Sequence, residues 1–367
     1  MKNVSVLALS AMTTIGALPF SAYATPVSHL YANGIVANNI VVMQHSALLN
    51  AFNNFDGAMA ISLGKHYVPE NKEPAKKAEP EKASPDRYGT MPLYGEYGDD
   101  GTVFSSGRSG GEYSALDSNW FDWHHTQDST KFDDFSVMNT RSDVISLGLA
   151  GGHNELEGGF SEWGAFGGVA IAHEDNSAVD IAERGGYIGI YSGYHMYGFN
   201  IAVAGDFGAM FNSAESDFGT DDFTNIWLGG ALNASYNIVL DDSFTLQPGV
   251  YLGYTWIKSN SYESESGHDI ENSDFNMIEL SPSLRAIKHI AGDWYGAMSA
   301  RYVFNFANGG DAEIAGVKLP ELELGNYSEY GLSIEKNIDR FNVAIMLNRR
   351  DGGRTGWNGG VQVRCVF

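Results

Sequence analysis

The residue types best suited to chemistry gather in one stretch, "WFDWHHTQDSTKFDD". It holds His124-His125, the one adjacent pair among 10 histidines, beside Asp122, Asp128 and Asp133. Imidazoles and carboxylates together can bind a transition metal or pass a proton. The stretch falls in the long connection from Asp99 to Phe135, which reads as an outer loop. A solvated aromatic-acidic segment is therefore the default, with Trp120, Phe121 and Trp123 as conceivable adhesive anchors. His173 and His195 fall near strand ends and read as interfacial. No serine lies in a nucleophile motif, and Cys365 belongs to an apolar stripe, which reads as packing rather than reactivity. No catalytic residue, metal site or cofactor is expected, and no enzyme.

The elements that position these residues follow from composition and pattern. Residues 1–24 have Lys2, an apolar stretch from Val4 and then Ala22-Tyr23-Ala24, the layout of a signal peptide cleaved after Ala24. Past it no window is apolar enough for a spanning helix. Acidic residues outnumber basic ones by 45 to 22, for a net charge of -23, which excludes nucleic acid as a partner. With one cysteine the chain forms no internal disulfide. The N-terminal segment, 25–65, contains an uncharged helix over about 35–55 whose apolar residues are spread around its circumference. Residues 66–90, with "NKEPAKKAEPEKASPD", bury too little to fold and read as a linker.

From Met91 to Phe367 the pattern is alternation by twos. In "TNIWLGGALNASYNIVL", Ile226, Leu228, Leu232, Ala234, Tyr236, Ile238 and Leu240 share one parity and Asn225, Asn233, Ser235 and Asn237 the other. About 12 such segments, the first near Met91–Gly98 and the second near Ser136–Gly151, fit a transmembrane β-barrel with lipid outside and a polar lumen inside. Connections alternate short and long. "YG", "DDS", "IAGD" and "NIDR" are short; "SAESDFGTDD", "SNSYESESGHDIENS" and "ANGGDAEIAGVKLPELELG" are long. "GHNELEGG" is longer than its place in that order predicts. Short turns belong to the periplasmic end, where both chain ends are expected. On lumen parity stand Asp206, Glu279, Arg285, Arg301, Glu329, Glu335, Arg350 and Arg364, expected to pair with one another or with the helix amides. "VQVRCVF" is the closing strand. Val361, Val363, Cys365 and Phe367 face lipid, and alternation ending on a terminal Phe resembles the signal read by the outer-membrane barrel-assembly machinery.

The order of uncharged helix Ile35–Phe55, linker and barrel ending in Phe367 resembles the translocator domain of autotransporters, the type V secretion family. "GGYIGIYSGYHMYGFNIAVAGDFG", "FTLQPGVYLGYTW" and "MIELSPSLRA" carry the same flavour. The resemblance implies a bacterial outer-membrane barrel with the helix running through its pore, and lumen residues such as Glu279 and Arg285 touching that helix. It also marks Asn38-Asn39 in "VANNIV" as similar to a junction where some family members cut themselves, the first Asn amide attacking its own carbonyl. With about ten residues expected between Ala24 and the helix, no conventional passenger is expected.

The long loops carry Asp99, Asp100, Asp133, Asp134, Glu215, Asp217, Asp221, Asp222, Glu263, Glu265, Asp269 and Glu271. They read as an acidic surface able to share divalent cations with lipopolysaccharide phosphates, on a monomer in outer-membrane lipid. Other readings of the same pattern are a general diffusion porin, a surface adhesin barrel and, less favoured, a barrel-type outer-membrane hydrolase.

Overall fold

A computed structural model of the chain describes Ala32–Ala60, Gly95–Tyr97, Val103–Ser105 and 118–366. The last range excludes 133–135, 157–158, 177–178, 218, 242, 266, 268, 273, 310–311, 315–316, 319–323 and 339–340. The expected signal peptide and linker, Asp99, Asp100, Asp133, Asp134 and Phe367 lie outside the described residues.

Period-two alternation builds strands because successive side chains leave a strand on opposite faces. Twelve of them close into an antiparallel barrel. They are β1 (Ser118–Phe132), β2 (Ser136–Leu156), β3 (Gly159–Asp175), β4 (Asp180–Met196), β5 (Phe199–Ser216) and β6 (Gly219–Tyr236), followed by β7 (Phe244–Ser259), β8 (Phe275–Ala291), β9 (Trp294–Gly309), β10 (Tyr327–Ile338), β11 (Phe341–Gly352) and β12 (Arg354–Val366). A thirteenth member of the sheet, Ile238–Asp241, continues β6 past Asn237 and pairs with β7. Each long strand pairs with the next, and β12 pairs with β1 from Arg354↔Thr130 to Val366↔Ser118. Closure matters because an unpaired edge in hydrocarbon would leave amides and carbonyls without partners. At 12 to 21 residues the strands are far longer than those of soluble sheets. Among the described residues no helix is long and apolar enough to cross a membrane; here the strands do the crossing.

The expected fold class holds, with one strand displaced. Gly95–Tyr97, inside the expected first strand, pairs instead with Val103–Ser105 in a separate two-stranded sheet. The first barrel strand is Ser118–Phe132, the stretch read as an outer loop. Its density of Asp, His and Thr hid its alternation: Trp120, Asp122, His124, Thr126, Asp128 and Thr130 are all buried on one face.

Hairpin ends show how far the strands run. Tyr197 and Gly198 join β4 to β5 with φ of 51° and 86°, a two-residue turn with both φ positive, which matches the strand twist. "SAESDFGTDD" is no long loop: β5 and β6 run through it, leaving 217–218. "GHNELEGG" likewise belongs mostly to β2 and β3, leaving 157–158, so it follows the short-turn rule. The two remaining long connections fold together. Tyr262–Glu263, Asp269–Asn272, Ala312–Ile314 and Val317–Lys318 make a four-stranded sheet at the outer end.

The same parity means different things at different heights. Toward the short-turn end and through the middle of the strands apolar side chains face out: Leu147 and Leu149, Ile188 and Ile190, Phe207, Leu252 and Leu332 are all exposed. Toward the long-loop end the faces exchange roles. There Met138, Ile181, Met210, Phe223, Ile257, Phe275 and Met277 are buried inside, while Asn139, Arg141, Asp222 and Lys258 face outward. The expectation that every second residue meets lipid along the whole strand is therefore corrected. The strands rise out of the hydrocarbon as a collar, where water is outside and the apolar face turns in.

Candidate functional site

The lumen is occupied by α1 (Ala32–Ala60), longer at both ends than the expected 35–55. A helix whose apolar residues are spread around its circumference, with no charge in its first or last turn, has no single face to offer water, so it is stable only when surrounded. Ala32, Ile35, Val36, Ala37, Ile40, Val41, Val42 and Met43 are buried, in one cluster with the collar residues Met138, Ile181, Met210, Ala214, Phe223, Ile257, Phe275 and Met277. Burying one such aliphatic or aromatic side chain stabilises by roughly 1.5–3 kcal/mol. These partners set the direction of α1: its amino end is at the long-loop end, whereas the barrel's first and last strands begin at Ser118 and end at Val366 together at the short-turn end, as expected. Farther down, Phe52 packs with Ala202 and Tyr251.

Polar residues interrupt this apolar surface, and Asn39, Gln44 and His45 each have wall partners. Asn39 Nδ2 is 3.2 Å from both carboxylate oxygens of Glu183, and Asn39 Oδ1 accepts from Arg354 Nη2 at 3.3 Å. Gln44 Nε2 donates to Asp206 Oδ1 at 2.5 Å, and its Oε1 accepts from the Thr255 hydroxyl. His45 Nδ1 lies 2.7 Å from Glu279 Oε2 and its Nε2 3.1 Å from Thr255 Oγ1. Two glycines make room. A Cβ at Gly229 would overlap the Gln44 amide, and one at Gly253 would lie 2.8 Å from His45 Nε2.

The wall between these anchors is a continuous ion relay. Asp128 Oδ2 accepts from Arg354 Nε at 2.5 Å and from Arg350 Nη1 at 2.8 Å. Arg350 Nε donates to Glu329 Oε2 at 2.8 Å, and Arg301 Nε to Glu329 Oε1 at 2.9 Å. Arg301 Nη1 is 3.6 Å from Glu279 Oε1, which returns the chain to His45. The relay leaves the helix at Asn39, crosses β12, β1, β11, β10, β9 and β8, and rejoins it at His45. Arg350 and Asp128 are fully buried within it. Asp128 and Glu329 each sit between two arginines, which is what allows charges to be held out of water.

Of the eight lumen residues expected from parity, Glu279, Arg301, Glu329 and Arg350 fall in this relay and Asp206 on the far side of α1. Arg285 pairs with Glu335 at 2.5 Å, and Arg364 lies 3.5 Å from Glu162, contacts within the wall. Sequence reasoning missed Asp128, Glu183 and Arg354. Asp128 was assigned to a loop, and Glu183 precedes the expected start of its strand at Gly185. Carrying the alternation through Ile181 and Glu183 would have placed it.

The remaining candidates are reassigned by β1. His124 is buried with Nδ1 3.1 Å from Asp122, whereas His125 faces outward with Nδ1 3.1 Å from Asp143. Opposite faces of one strand cannot share a metal, and among the described residues no group of three or more His, Cys, Asp or Glu could hold one. Trp120 is buried in the lumen and Phe121 and Trp123 face out from the wall, so none is a loop anchor. His195 is buried, with Nδ1 2.6 Å from Asn200 Oδ1, rather than interfacial, while His173 is part-exposed beside Asp180. At Asn38, Nδ2 donates to Gly34 O at 2.8 Å inside an unbroken helix, directed one turn back rather than at its own carbonyl. Val361, Val363 and Cys365 are half-buried on the outer face.

Residues 134–348 match the family model described as Autotransporter beta-domain. Among solved structures, the transport unit of the autotransporter AIDA-I from Escherichia coli is 16% identical with a TM-score of 0.59, over 68% of this chain and 90% of that one. The translocator domain of the autotransporter NalP from Neisseria meningitidis is 12% identical with a TM-score of 0.59, over 69% and 90%. The beta domain of the Bordetella autotransporter Brka is 14% identical with a TM-score of 0.56, over 69% and 100%. At these identities the likeness shows the fold. No curated protein matches the sequence.

Proposed function

The chain belongs to the autotransporter β-domain family, and from that premise we propose that it is an outer-membrane translocator barrel stoppered by α1, with an acidic surface at its outer end. The observation that carries this reading is the relay that begins and ends on the helix, from Asn39 through Arg354, Asp128, Arg350, Glu329, Arg301 and Glu279 to His45. In an open porin such charges face water and set ion selectivity. Here the innermost of them are buried, and their outlets are the amides and imidazole of α1. The stopper is therefore built into the wall rather than merely passing through it.

Planar-bilayer conductance tests the reading. The whole chain is expected to conduct weakly, and deletion of residues 32–60 to raise single-channel conductance several-fold. High conductance unchanged by the deletion would instead favour a diffusion porin.

Export in this reading starts with a signal peptide cut after Ala24, and assembly uses the strand carrying Val361, Val363, Cys365 and Phe367. The Asn38–Asn39 bond stays intact, because bond formation within a residue needs near-attack geometry and the Asn38 amide is committed to Gly34. The intact mass of the purified protein should correspond to a chain starting at Thr25, with no species starting at Asn39.

A further inference from the structure

Among the described residues, the outer wall of this barrel has a place where the lipid-facing surface is not filled. Between β11, β12 and β1, Trp123, Trp357, Ile345, Leu347, Val361 and Gly359 border a groove of about 300 Å³. Gly359 lies on its floor, where even a Cβ would press on Met346 O at 3.2 Å and Leu347 Cδ1 at 3.4 Å. An apolar furrow among hydrocarbon-facing side chains is suited to one acyl chain.

The upper end of the groove is not apolar. Arg349 lies over the Trp357 ring, 5.2 Å from its centroid. The strand register Arg349↔Trp357↔Gln127↔Arg141 sets both arginines in one outward row. Three strand spacings separate them, about 14 Å, which two long side chains can bridge from either side of one headgroup. Two carboxylates stand close by. Asp143 Oδ1 is engaged by Trp123 Nε1 at 3.0 Å and His125 Nδ1 at 3.1 Å, and Asp351 lies two residues beyond Arg349 on the same face. This outward arginine pair stands on a chain with a net charge of -23. It sits where the apolar belt ends, at headgroup height.

We propose that this seam is a binding site for a phosphorylated, acylated lipid of the outer leaflet, one acyl chain in the Gly359 groove and a phosphate on Arg349 and Arg141. Guanidinium is the side chain best matched to phosphate oxygens, and lipid on both sides of the groove lowers the dielectric around the contact.

The test uses the whole refolded protein in phosphatidylcholine-containing micelles, with lipid A as the probe and native mass spectrometry to count retained molecules. The wild type should retain lipid A over phosphatidylcholine. R141Q/R349Q should weaken retention about tenfold, the loss of roughly one charge-assisted hydrogen bond. Gly359→Leu, which fills the groove, should lower it comparably while keeping the heat-modifiable gel migration of a closed barrel. Lys288→Gln with Lys336→Gln, at the short-turn end, should leave it unchanged. Wild-type retention in R141Q/R349Q overturns the proposal, as does equal loss in the lysine control. If Gly359→Leu does not fold, the arginine pair decides alone.

Discussion

The collar and the membrane belt of this barrel are made from the same strands yet obey opposite rules. In the belt, Ile188 and Ile190 of β4 face outward and Tyr187 and Tyr191 face in. A few residues earlier on the same strand, Arg184 faces outward and Ile181 inward. The alternation never breaks; the surroundings change. Hydrocarbon selects apolar side chains in the belt, and water selects charged ones on the collar. Inside, the collar offers α1 an apolar core, and a line of ion pairs and amide partners runs from collar height at Glu183 and Arg354 down to Glu279 in the belt. Two kinds of contact hold one helix: apolar packing against the collar supplies much of its burial, and the polar contacts to the wall fix its register.

The largest effect should come from the most buried charge of the relay. Arg350→Ala leaves Asp128 and Glu329 with one cation each, and losing one partner of a buried ion network costs about 3–5 kcal/mol. Urea unfolding in micelles, followed by the heat-modifiable gel shift, should show it. Arg350→Met should recover only part if the remaining carboxylates are the problem.

Next in size are substitutions that exchange the two environments. Phe223→Ala in the collar should cost about 3–5 kcal/mol, as in a soluble core. Ile190→Lys on the lipid face should cost about 2–4 kcal/mol, and Arg184→Lys on the collar's outer face almost nothing. If Ile190→Lys were as mild as Arg184→Lys, the boundary between the two zones would lie elsewhere.

A smaller effect tests register. His45→Ala together with Glu279→Gln should give a coupling of about 0.5–3 kcal/mol in a double-mutant cycle, because the two side chains touch. Gly229→Val, which drives a branched side chain into the Gln44 amide, should raise bilayer conductance without unfolding the wall. The smallest effect belongs to the exposed pair His125–Asp143: His125→Gln should shift stability by no more than about 1 kcal/mol.

How much of this was legible beforehand varies by element. The strands from β6 to β12 were readable because their apolar residues repeat largely on one parity, as Ile226 to Leu240 do with only Gly230 between; β4 and β5 were fainter. β1 was not, because its outward face mixes Trp123 with His125, Gln127 and Lys131, and its inward face is polar; nothing in that run resembles a lipid-facing stripe. Glu279, Arg301, Glu329 and Arg350 could be assigned to the lumen by parity. Their common relay could not, since its links join residues far apart in sequence, such as Asp128 and Arg350. The apolar collar was hidden for a related reason: Met138, Ile181 and Phe275 look like strand-end noise until α1 is seen between them.

By itself the sequence determined that the chain alternates, that about a dozen long strands result, and that they must close, because backbone hydrogen bonds in lipid leave no alternative. Tertiary structure decided which face meets which solvent at each height, and which wall residues hold the helix. A period of two records only that two faces differ. What each face touches depends on where the strand sits in the membrane and on the helix from a distant part of the chain that fills the lumen.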